Sequence, residues 1–252
     1  MITQETIQKL ATRYQTNEFN VIREYFQHLF LSQLYRLEGA EKLLFKGGTA
    51  LRIIYGSPRF SEDLDFSIFS IDHYQQEKFI EDLFTKVLSE IEKIGIKVEL
   101  GPKPGKTREG YYGDATFKLY DYQAAGVEIN VSSRNGRDIK GEVDTIANDF
   151  VPTYNVYHLP QIELVEEKVF NALLKRKKPR DFYDLYIIMR KGFLGPEQKK
   201  RLANKRNFIE SEAEKIDFKS ELSKLLPKDQ QDIIKDFRQT VINELERQLN
   251  GF

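Results

Sequence analysis

Hydrophobic residues recur at helical spacing at both ends of the chain and alternate with polar residues in its middle. Apolar stripes predict helices over residues 1–44 and a further helix over 74–94, which Gly95 would end. From Pro160 the helical spacing returns and continues to Phe252. Both ends of the chain are therefore predicted to be helical, with the strands between them.

Strands are predicted where apolar and polar residues alternate. The clearest alternation lies in residues 61–68, where Leu64, Phe66 and Ile68 alternate with Asp63, Asp65 and Ser67. Residues 115–120 and 127–131 flank a turn and predict a hairpin, and residues 96–100 predict a shorter strand. Residues 132–160 are punctuated by Asn, Gly, Asp and Pro, and they are predicted to be connecting structure.

These elements predict an α+β fold, a mixed sheet flanked by helices and followed by a helical C-terminal region. The change of pattern places a domain boundary between residues 1–159 and 160–252. A chain of 252 residues is long enough to bury a core in one large domain or in two small ones.

Composition excludes several classes of protein. The chain has 39 basic and 39 acidic residues, so a protein coated in nucleic acid is not expected, although the balance permits local basic patches. It has no cysteine and only three histidines, which excludes disulfides, thiolate zinc sites and a histidine-rich metal centre. Without a long apolar run or a signal-peptide pattern, the predicted location is the cytoplasm, with no membrane partner.

The most informative stretch begins with a double-glycine turn. An apolar approach leads into Lys46, Gly47, Gly48 and Thr49, and a short helical run follows. Glycines allow the backbone to take positive φ and to approach another group closely. The free N–H groups at the start of the helix suit a phosphate.

Two carboxylates, Asp63 and Asp65, lie on one face of the strand that follows. Residues two apart on a strand are about 7 Å apart along the backbone, so their side chains can converge on a divalent ion that prefers oxygen ligands. Taken singly, the glycine turn is common in loops and an Asp-x-Asp pair is usually solvated charge. Taken together in this order, they favour a site for a metal-bound nucleotide.

Other charged residues leave two interpretations open. Lys168 lies at the margin of an apolar helix face. Either its ammonium group is aimed at a site, or its stem lies along that face and its charge stays in water. The loop 101–110, with Lys103, Lys106 and Arg108, and the run Lys175–Arg180 are either solvated turns or surfaces for phosphate or RNA.

The same residues carry a family resemblance. Lys46–Phe66 resembles the signature of the nucleotidyltransferase superfamily that includes DNA polymerase beta. More narrowly, Lys46–Leu51, Arg59–Phe66 and Glu167–Leu185 are similar to the AbiEii-type toxins of toxin-antitoxin and phage-defence systems. The resemblance implies a nucleotidyltransferase-like fold, a nucleoside triphosphate (NTP) substrate and, for the toxin role, a cognate antitoxin partner.

The resemblance also implies roles for individual residues. Relatives carry a third carboxylate on the strand beside Asp-x-Asp, and Glu128 is the acid so placed; as an exposed strand residue it has an equally good structural explanation. The family lysine contacts nucleotide phosphates, a role carried to Lys168, with Asp181 and Asp184 as its supports. Asp181 has an alternative role as a stabiliser of the helix N-terminus.

The sequence therefore predicts a metal-dependent nucleotidyltransferase. Asp63 and Asp65, with Glu128, would hold Mg²⁺ on the triphosphate, and Ser61 and Arg59 would hold the acid strand and the phosphates. Gly47, Gly48 and Thr49 would cradle the triphosphate. The implied acceptor is an RNA 3′ hydroxyl, with tRNA the first choice, and a protein hydroxyl is the alternative. A nucleotide-sensing or antitoxin-binding module without turnover is the rival function.

Overall fold

The computed structural model describes residues 1–101, 105–107, 110–133 and 139–250. The chain divides into two compact units. The first unit comprises Met1–Gly56 and Phe60–Leu159, and the second comprises Ser57–Arg59 and Pro160–Phe252. Ser57–Arg59, which lie between the glycine turn and the acid pair in the sequence, thus belong to the second unit. No pattern in the sequence indicates this assignment.

The first unit is built on a mixed sheet of eight strands among the described residues. The strands are β1 (Leu43–Lys46), β2 (Leu64–Ile68), β3 (Lys97–Leu100), β4 (Gly105–Thr107), β5 (Gly110–Lys118), β6 (Ala125–Ser133), β7 (Glu142–Ile146) and β8 (Tyr154–His158). Their order is β3-β5-β6-β2-β1-β8-β7, and β4 also pairs with β5. The pairs β2–β6 and β1–β8 are parallel, and the others are antiparallel.

Helices flank this sheet, as the sequence predicts. They are α1 (Gln4–Arg13), α2 (Glu18–Leu34), a 3₁₀ turn (Ala40–Lys42), α3 (Gly47–Ile53) and α4 (Gln76–Lys93). Thr3 and Asn17 cap α1 and α2 with side-chain oxygens that accept backbone N–H groups. Gly95, with φ +86°, follows α4 and confirms the predicted helix end.

Aromatic side chains hold α2 and α4 against the apolar face of the sheet. Phe26 of α2 stacks on Phe117 of β5 with ring centroids 4.5 Å apart. Phe84 of α4 contacts Phe66 of β2 and Phe30 of α2, with centroids 6.3 and 5.4 Å apart. The opposite side chains of β2, β5 and β6 are polar, so the alternation along these strands separates a core face from a polar face.

The prediction that residues 132–160 are connecting structure is wrong, because β7 and β8 lie there. β7 is an edge strand and four of its five residues are exposed, so no apolar alternation marks it. In β8 the buried positions are Tyr154, Val156 and His158, and two of these three carry polar groups. The acid strand also begins later than predicted, at Leu64, so Asp63 precedes the ladder.

The described part of the second unit contains helices and their connections, as the spacing after Pro160 predicts. They are α5 (Gln161–Val165), a π-helix (Glu166–Leu173), α6 (Leu174–Arg176), α7 (Pro179–Arg190), α8 (Pro196–Ala203), α9 (Arg206–Ala213), α10 (Lys219–Leu225), a 3₁₀ helix (Lys228–Asp236) and α11 (Phe237–Leu249). Phe182, Phe218 and Phe237 pack edge-on in its core. Among the described residues, no helix has the length and apolar character needed to cross a membrane.

Candidate functional site

The double-glycine turn joins the end of β1 to the start of α3. β1 ends at Lys46, and α3 begins at Gly47, whose φ is +85°. In the antiparallel pairing of β1 with β2, Lys46 lies opposite Asp65. The sheet register therefore brings the predicted turn and one of the predicted acids to the same place.

Gly47 and Asp65 are in direct contact. A Cβ atom added to Gly47 would lie 2.2 Å from Asp65 Oδ2 and 2.8 Å from Asp65 Cβ, distances that no real side chain adopts. Both the space and the positive φ therefore require glycine at this position. The Asp65 carboxylate is half-buried, and the described residues offer it no hydrogen-bond or ion-pair partner.

Asp63 is held by a contact from α3. Thr49 is fully buried, and its hydroxyl donates a hydrogen bond to the backbone carbonyl of Asp63. Asp63 precedes the first ladder residue of β2, so this contact fixes backbone that the sheet does not pair. The helix after the turn thus supports the segment that carries the first acid.

The polar face of the sheet adds further oxygen ligands beside the acid pair. Asp65 pairs with Asn130 of β6, which in turn pairs with Tyr112 of β5. Two residues further along β5 and two back along β6, Asp114 pairs with Glu128. Directly paired residues point to the same face of a sheet, so these side chains share the face that carries Asp65.

The electrostatics of Tyr112 identify three acids whose charges act on its phenol group. Burial raises the pKa of the Tyr112 phenol, and the negative charges of Glu128, Asp114 and Asp63 raise it further. Three acids therefore act on one ring at this face. Asp114 was not among the predicted site residues, because the strand predicted over residues 115–120 starts one residue after it, whereas β5 begins at Gly110.

The donors present fit a magnesium ion bound together with a nucleotide. Within the described ranges, no three His, Cys, Asp or Glu side chains are grouped closely enough to hold a metal by themselves. Mg²⁺ usually takes one or two carboxylates and completes its shell with water and substrate phosphates. Asp65, which is packed against the turn and has no hydrogen-bond or ion-pair partner among the described residues, and Asp63 nearby supply such a pair; Glu128 is exposed.

A second cluster lies in the second unit. Arg59 donates two hydrogen bonds to Asp184, at 2.8 Å from Nε and 2.9 Å from Nη2. Lys168 Nζ donates to Asp184 Oδ2 at 2.8 Å. The side chains of Arg59 and Asp184 are 2% and 0% exposed, and that of Lys168 is 10% exposed. This is a buried triad in which one carboxylate joins two cations.

The two cations keep Asp184 ionised. Burial by itself would raise the pKa of this carboxyl group, but the charges of Arg59 and Lys168 and their hydrogen bonds outweigh burial and lower the pKa to about 2. Asp184 is therefore negative throughout the physiological range. Its single negative charge faces both cations, and the charges of Glu221 and Asp181 also act on Arg59.

Lys168 lies in a π-helix rather than in the regular helix that the sequence predicts. The wider turn of a π-helix shifts its side chains from the α-helical spacing, and such turns often occur at functional sites. The alternative in which Lys168 keeps its charge in water is wrong, because its ammonium group binds a buried acid on α7.

Asp181 and Ser61 have structural partners. The Asp181 carboxylate is fully buried and accepts from the Lys178 backbone N–H at 3.1 Å and from Arg176 at 2.5 Å. It thus caps α7, the alternative role that the sequence allowed. The carbonyl of Ser61 accepts from Gln27 Nε2 at 3.0 Å.

The basic run Lys175–Arg180 is largely paired. Beyond the Arg176–Asp181 pair, Lys177 lies 3.0 Å from Glu212, and Arg180 lies 3.4 Å from Glu221. These pairs favour the interpretation that the run is a solvated turn whose charges are paired with acids of the same chain. The side chains of Lys103, Lys106 and Arg108 in the other basic segment lie outside the described residues.

Comparison with solved structures shows the fold. A crystal structure described as a candidate nucleotidyltransferase from Helicobacter pylori has a TM-score of 0.65 at 19% identity, with 93% of this chain and 96% of that chain covered. JHP933 from Helicobacter pylori has a TM-score of 0.58 at 20% identity, with 93% and 97% covered. These structures confirm the predicted nucleotidyltransferase-like fold.

Comparison with protein families shows the relationship. No curated protein matches the chain. Residues 29–249 match the family described as nucleotidyl transferase AbiEii toxin, type IV toxin-antitoxin system. That match covers most of the chain, including the glycine turn, the acid pair and the buried triad. The chain belongs to the AbiEii nucleotidyl transferase toxin family.

Proposed function

We propose that this protein transfers a nucleotide from an NTP to a hydroxyl acceptor in a magnesium-dependent reaction. The observation that carries the proposal is the contact between Asp65 and Gly47. A half-buried carboxylate without a partner in the described chain lies directly against a glycine turn that begins a helix. A cation at that carboxylate and a phosphate at the turn would satisfy both.

Asp63 and Asp65 are the proposed magnesium ligands, with Glu128 as a third. Bound magnesium would neutralise triphosphate charge and orient the reacting phosphorus atom. The register of the sheet and the Thr49 hydrogen bond fix the backbone of both acids before substrate arrives. Such preorganisation lowers the cost of reaching the productive geometry.

Gly47, Gly48 and Thr49 are the proposed phosphate cradle. Glycine at position 47 leaves the backbone open to close approach, because a side chain there would occupy the space of the Asp65 carboxylate. The first turn of α3 leaves N–H groups without partners in the helix, and these suit phosphate oxygens.

Lys168 is proposed to bind the phosphates and to offset negative charge as pyrophosphate leaves. The support from geometry is that the Lys168 ammonium group is held in place by Asp184 while its side chain stays 10% exposed. Asp184 and Arg59 then act as positioning residues, and Asp181 supports α7. The role towards the nucleotide itself is carried by the family resemblance.

An RNA 3′ hydroxyl, first of all that of tRNA, is the proposed acceptor, and a cognate antitoxin is the proposed protein partner. The support is the family, which is described as the toxin of a type IV toxin-antitoxin system. A role in phage defence and a cytoplasmic location stay predictions.

Incubation with labelled NTPs tests the proposal. Purified protein, Mg²⁺ and total RNA would be combined with each of the four triphosphates in turn. We expect label on RNA, and its loss in Asp63→Ala and Asp65→Ala variants that keep their circular dichroism spectra. Asp121→Ala, which removes an exposed acid in the turn between β5 and β6, should transfer normally. Unchanged turnover in either acid variant would contradict the assignment.

A nucleotide-binding module without turnover is the second candidate, and one observation favours it. The residue paired with Asp65 on the neighbouring strand is an amide, Asn130, and the nearest acid of that strand, Glu128, is exposed. NTP binding by calorimetry without label on RNA or protein would support this candidate over the enzyme.

A further inference from the structure

Helix α2 carries a polar stripe within a mostly buried surface. Gln27 lies four residues after Arg23 and three after Glu24, so the three side chains share one side of the helix. Glu24 is 6% exposed and Gln27 is 1% exposed. Burying such groups is costly unless each is hydrogen-bonded, so their partners indicate what the stripe is for.

The stripe contacts the segment Phe60–Asp63. Gln27 Nε2 donates to the Ser61 carbonyl at 3.0 Å, and Arg23 Nη1 donates to Glu62 Oε1 at 3.0 Å. These two contacts fix consecutive residues of the chain that leads into β2.

Glu24 acts through Arg52 of α3. The Arg52 guanidinium donates two hydrogen bonds of 2.8 Å to the Glu24 carboxylate. The same guanidinium lies 3.7 Å from the centroid of the Phe60 ring, and Phe60 is 3% exposed. The ion pair thus holds the residue that begins the segment through a cation–π contact.

Four consecutive residues are therefore each held by a different side chain: Phe60 by Arg52, Ser61 by Gln27, Glu62 by Arg23 and Asp63 by Thr49. None of these four residues belongs to a strand or a helix. Backbone outside a ladder has few hydrogen bonds of its own, so its conformation depends on such contacts.

We infer that the polar stripe of α2 is a positioning device that sets the backbone of Asp63 for metal binding. The inference rests on the proposed function and adds three positioning residues to it: Arg23, Glu24 and Gln27. Asp65 is fixed by its place in β2, whereas Asp63 is held by Thr49 of α3 and follows Ser61 and Glu62, the two residues that α2 contacts. The stripe is what makes two acids with different local support act as one pair.

Gln27→Met tests the device. The substitution keeps the length and most of the volume of the side chain and removes the hydrogen bond to Ser61. The matched control is Ser32→Ala, which removes a buried hydrogen bond that stays inside α2, from Ser32 to the Leu29 carbonyl. Arg23→Met is a second variant at a more exposed position, in case Gln27→Met fails to fold.

The first measurement is hydrogen exchange of peptides that cover residues 60–65, without metal or nucleotide. We expect about tenfold faster exchange in Gln27→Met or Arg23→Met than in wild type, and no change in Ser32→Ala, because the loss of one buried hydrogen bond changes opening equilibria by about that factor. Equal exchange in wild type and both α2 variants would overturn the inference. This arm does not depend on any enzymatic activity.

The second measurement is the magnesium and NTP dependence of transfer. We expect kcat to fall about 10- to 100-fold in Gln27→Met and the magnesium concentration for half-maximal rate to rise, with the KM for NTP within about twofold of wild type. A matching loss in Ser32→Ala would overturn the inference. If wild type itself transfers nothing, the proposed function fails, and the exchange measurement alone decides about the positioning device.

Discussion

The acid face of the sheet and the buried triad use carboxylates in opposite ways. Asp65 is half-buried and has no partner in the described chain, whereas Asp184 is fully buried between two cations. The Asp65 carboxylate is available to a ligand, whereas the Asp184 carboxylate binds Arg59 and Lys168. A buried charge must be paired within the protein, so the capacity to bind a cation stays with the acids near the surface.

Neutralising the two carboxylates should therefore have different effects, mainly on stability at Asp184 and mainly on activity at Asp65. Asp184→Asn leaves Arg59 and Lys168 buried without their counter-charge and should lower the free energy of unfolding by about 3–5 kcal/mol. Asp65→Asn should change it by less than about 0.5 kcal/mol while abolishing transfer. Urea unfolding, with hydrogen exchange in α7 to report on the second unit, measures both. Equal destabilisation by the two variants would remove the distinction.

Gly47→Ala sharpens the account of the acid face. The added methyl group would collide with Asp65, and positive φ would add strain of about 1–2 kcal/mol. Gly95→Ala is the matched control, because Gly95 has almost the same φ, +86°, and nothing lies within 4 Å of an added Cβ.

We expect both glycine variants to lose stability through the strain of positive φ, and Gly47→Ala to lose more because its methyl group also collides with Asp65. Only Gly47→Ala should lose transfer activity, by about 100-fold, because the collision displaces a proposed metal ligand. Thermal unfolding and steady-state kinetics on the two variants make the comparison. Full activity in Gly47→Ala would show that the turn and Asp65 do not act together.

Acid should weaken the triad in a defined direction. The pKa of Asp184 is lowered from 3.8 to about 2 in the folded protein, so its contribution to stability is complete above about pH 4 and is lost as the pH falls towards 2. The stability difference between wild type and Asp184→Asn should shrink by about 2 kcal/mol over that range. Urea midpoints at successive pH values measure it, and a constant difference would contradict the assigned ion pairs.

The smallest effect is expected in the basic run. Lys177 is about one-third exposed and already paired with Glu212, and partly exposed pairs contribute about 0–1 kcal/mol. Lys177→Gln should therefore change stability by less than about 1 kcal/mol and leave the salt dependence of RNA binding unchanged. A reduced salt slope would instead favour contact between this run and the phosphate backbone.

Local pattern was enough to predict much of the fold and part of the site. Helical spacing and strand alternation predicted α2, α4, β2 and the helical region after Pro160, because each depends on neighbours along the chain. The glycine turn was also local, since positive φ at Gly47 is a property of one residue. Edge strand β7 escaped prediction because exposed residues carry no alternation.

The sequence by itself determined which residues could form a turn, a helix, a strand or a pair of acids. Only the tertiary structure decided that Arg59 meets Asp184, 125 residues away, that polar side chains of α2 contact Ser61 and Glu62, and that Asp65 lies against Gly47. Periodicity is set by backbone geometry within a few residues, whereas these contacts depend on the packing of distant segments. For this reason the candidate site residues could be predicted from the sequence, whereas the side chains that hold them in place could not.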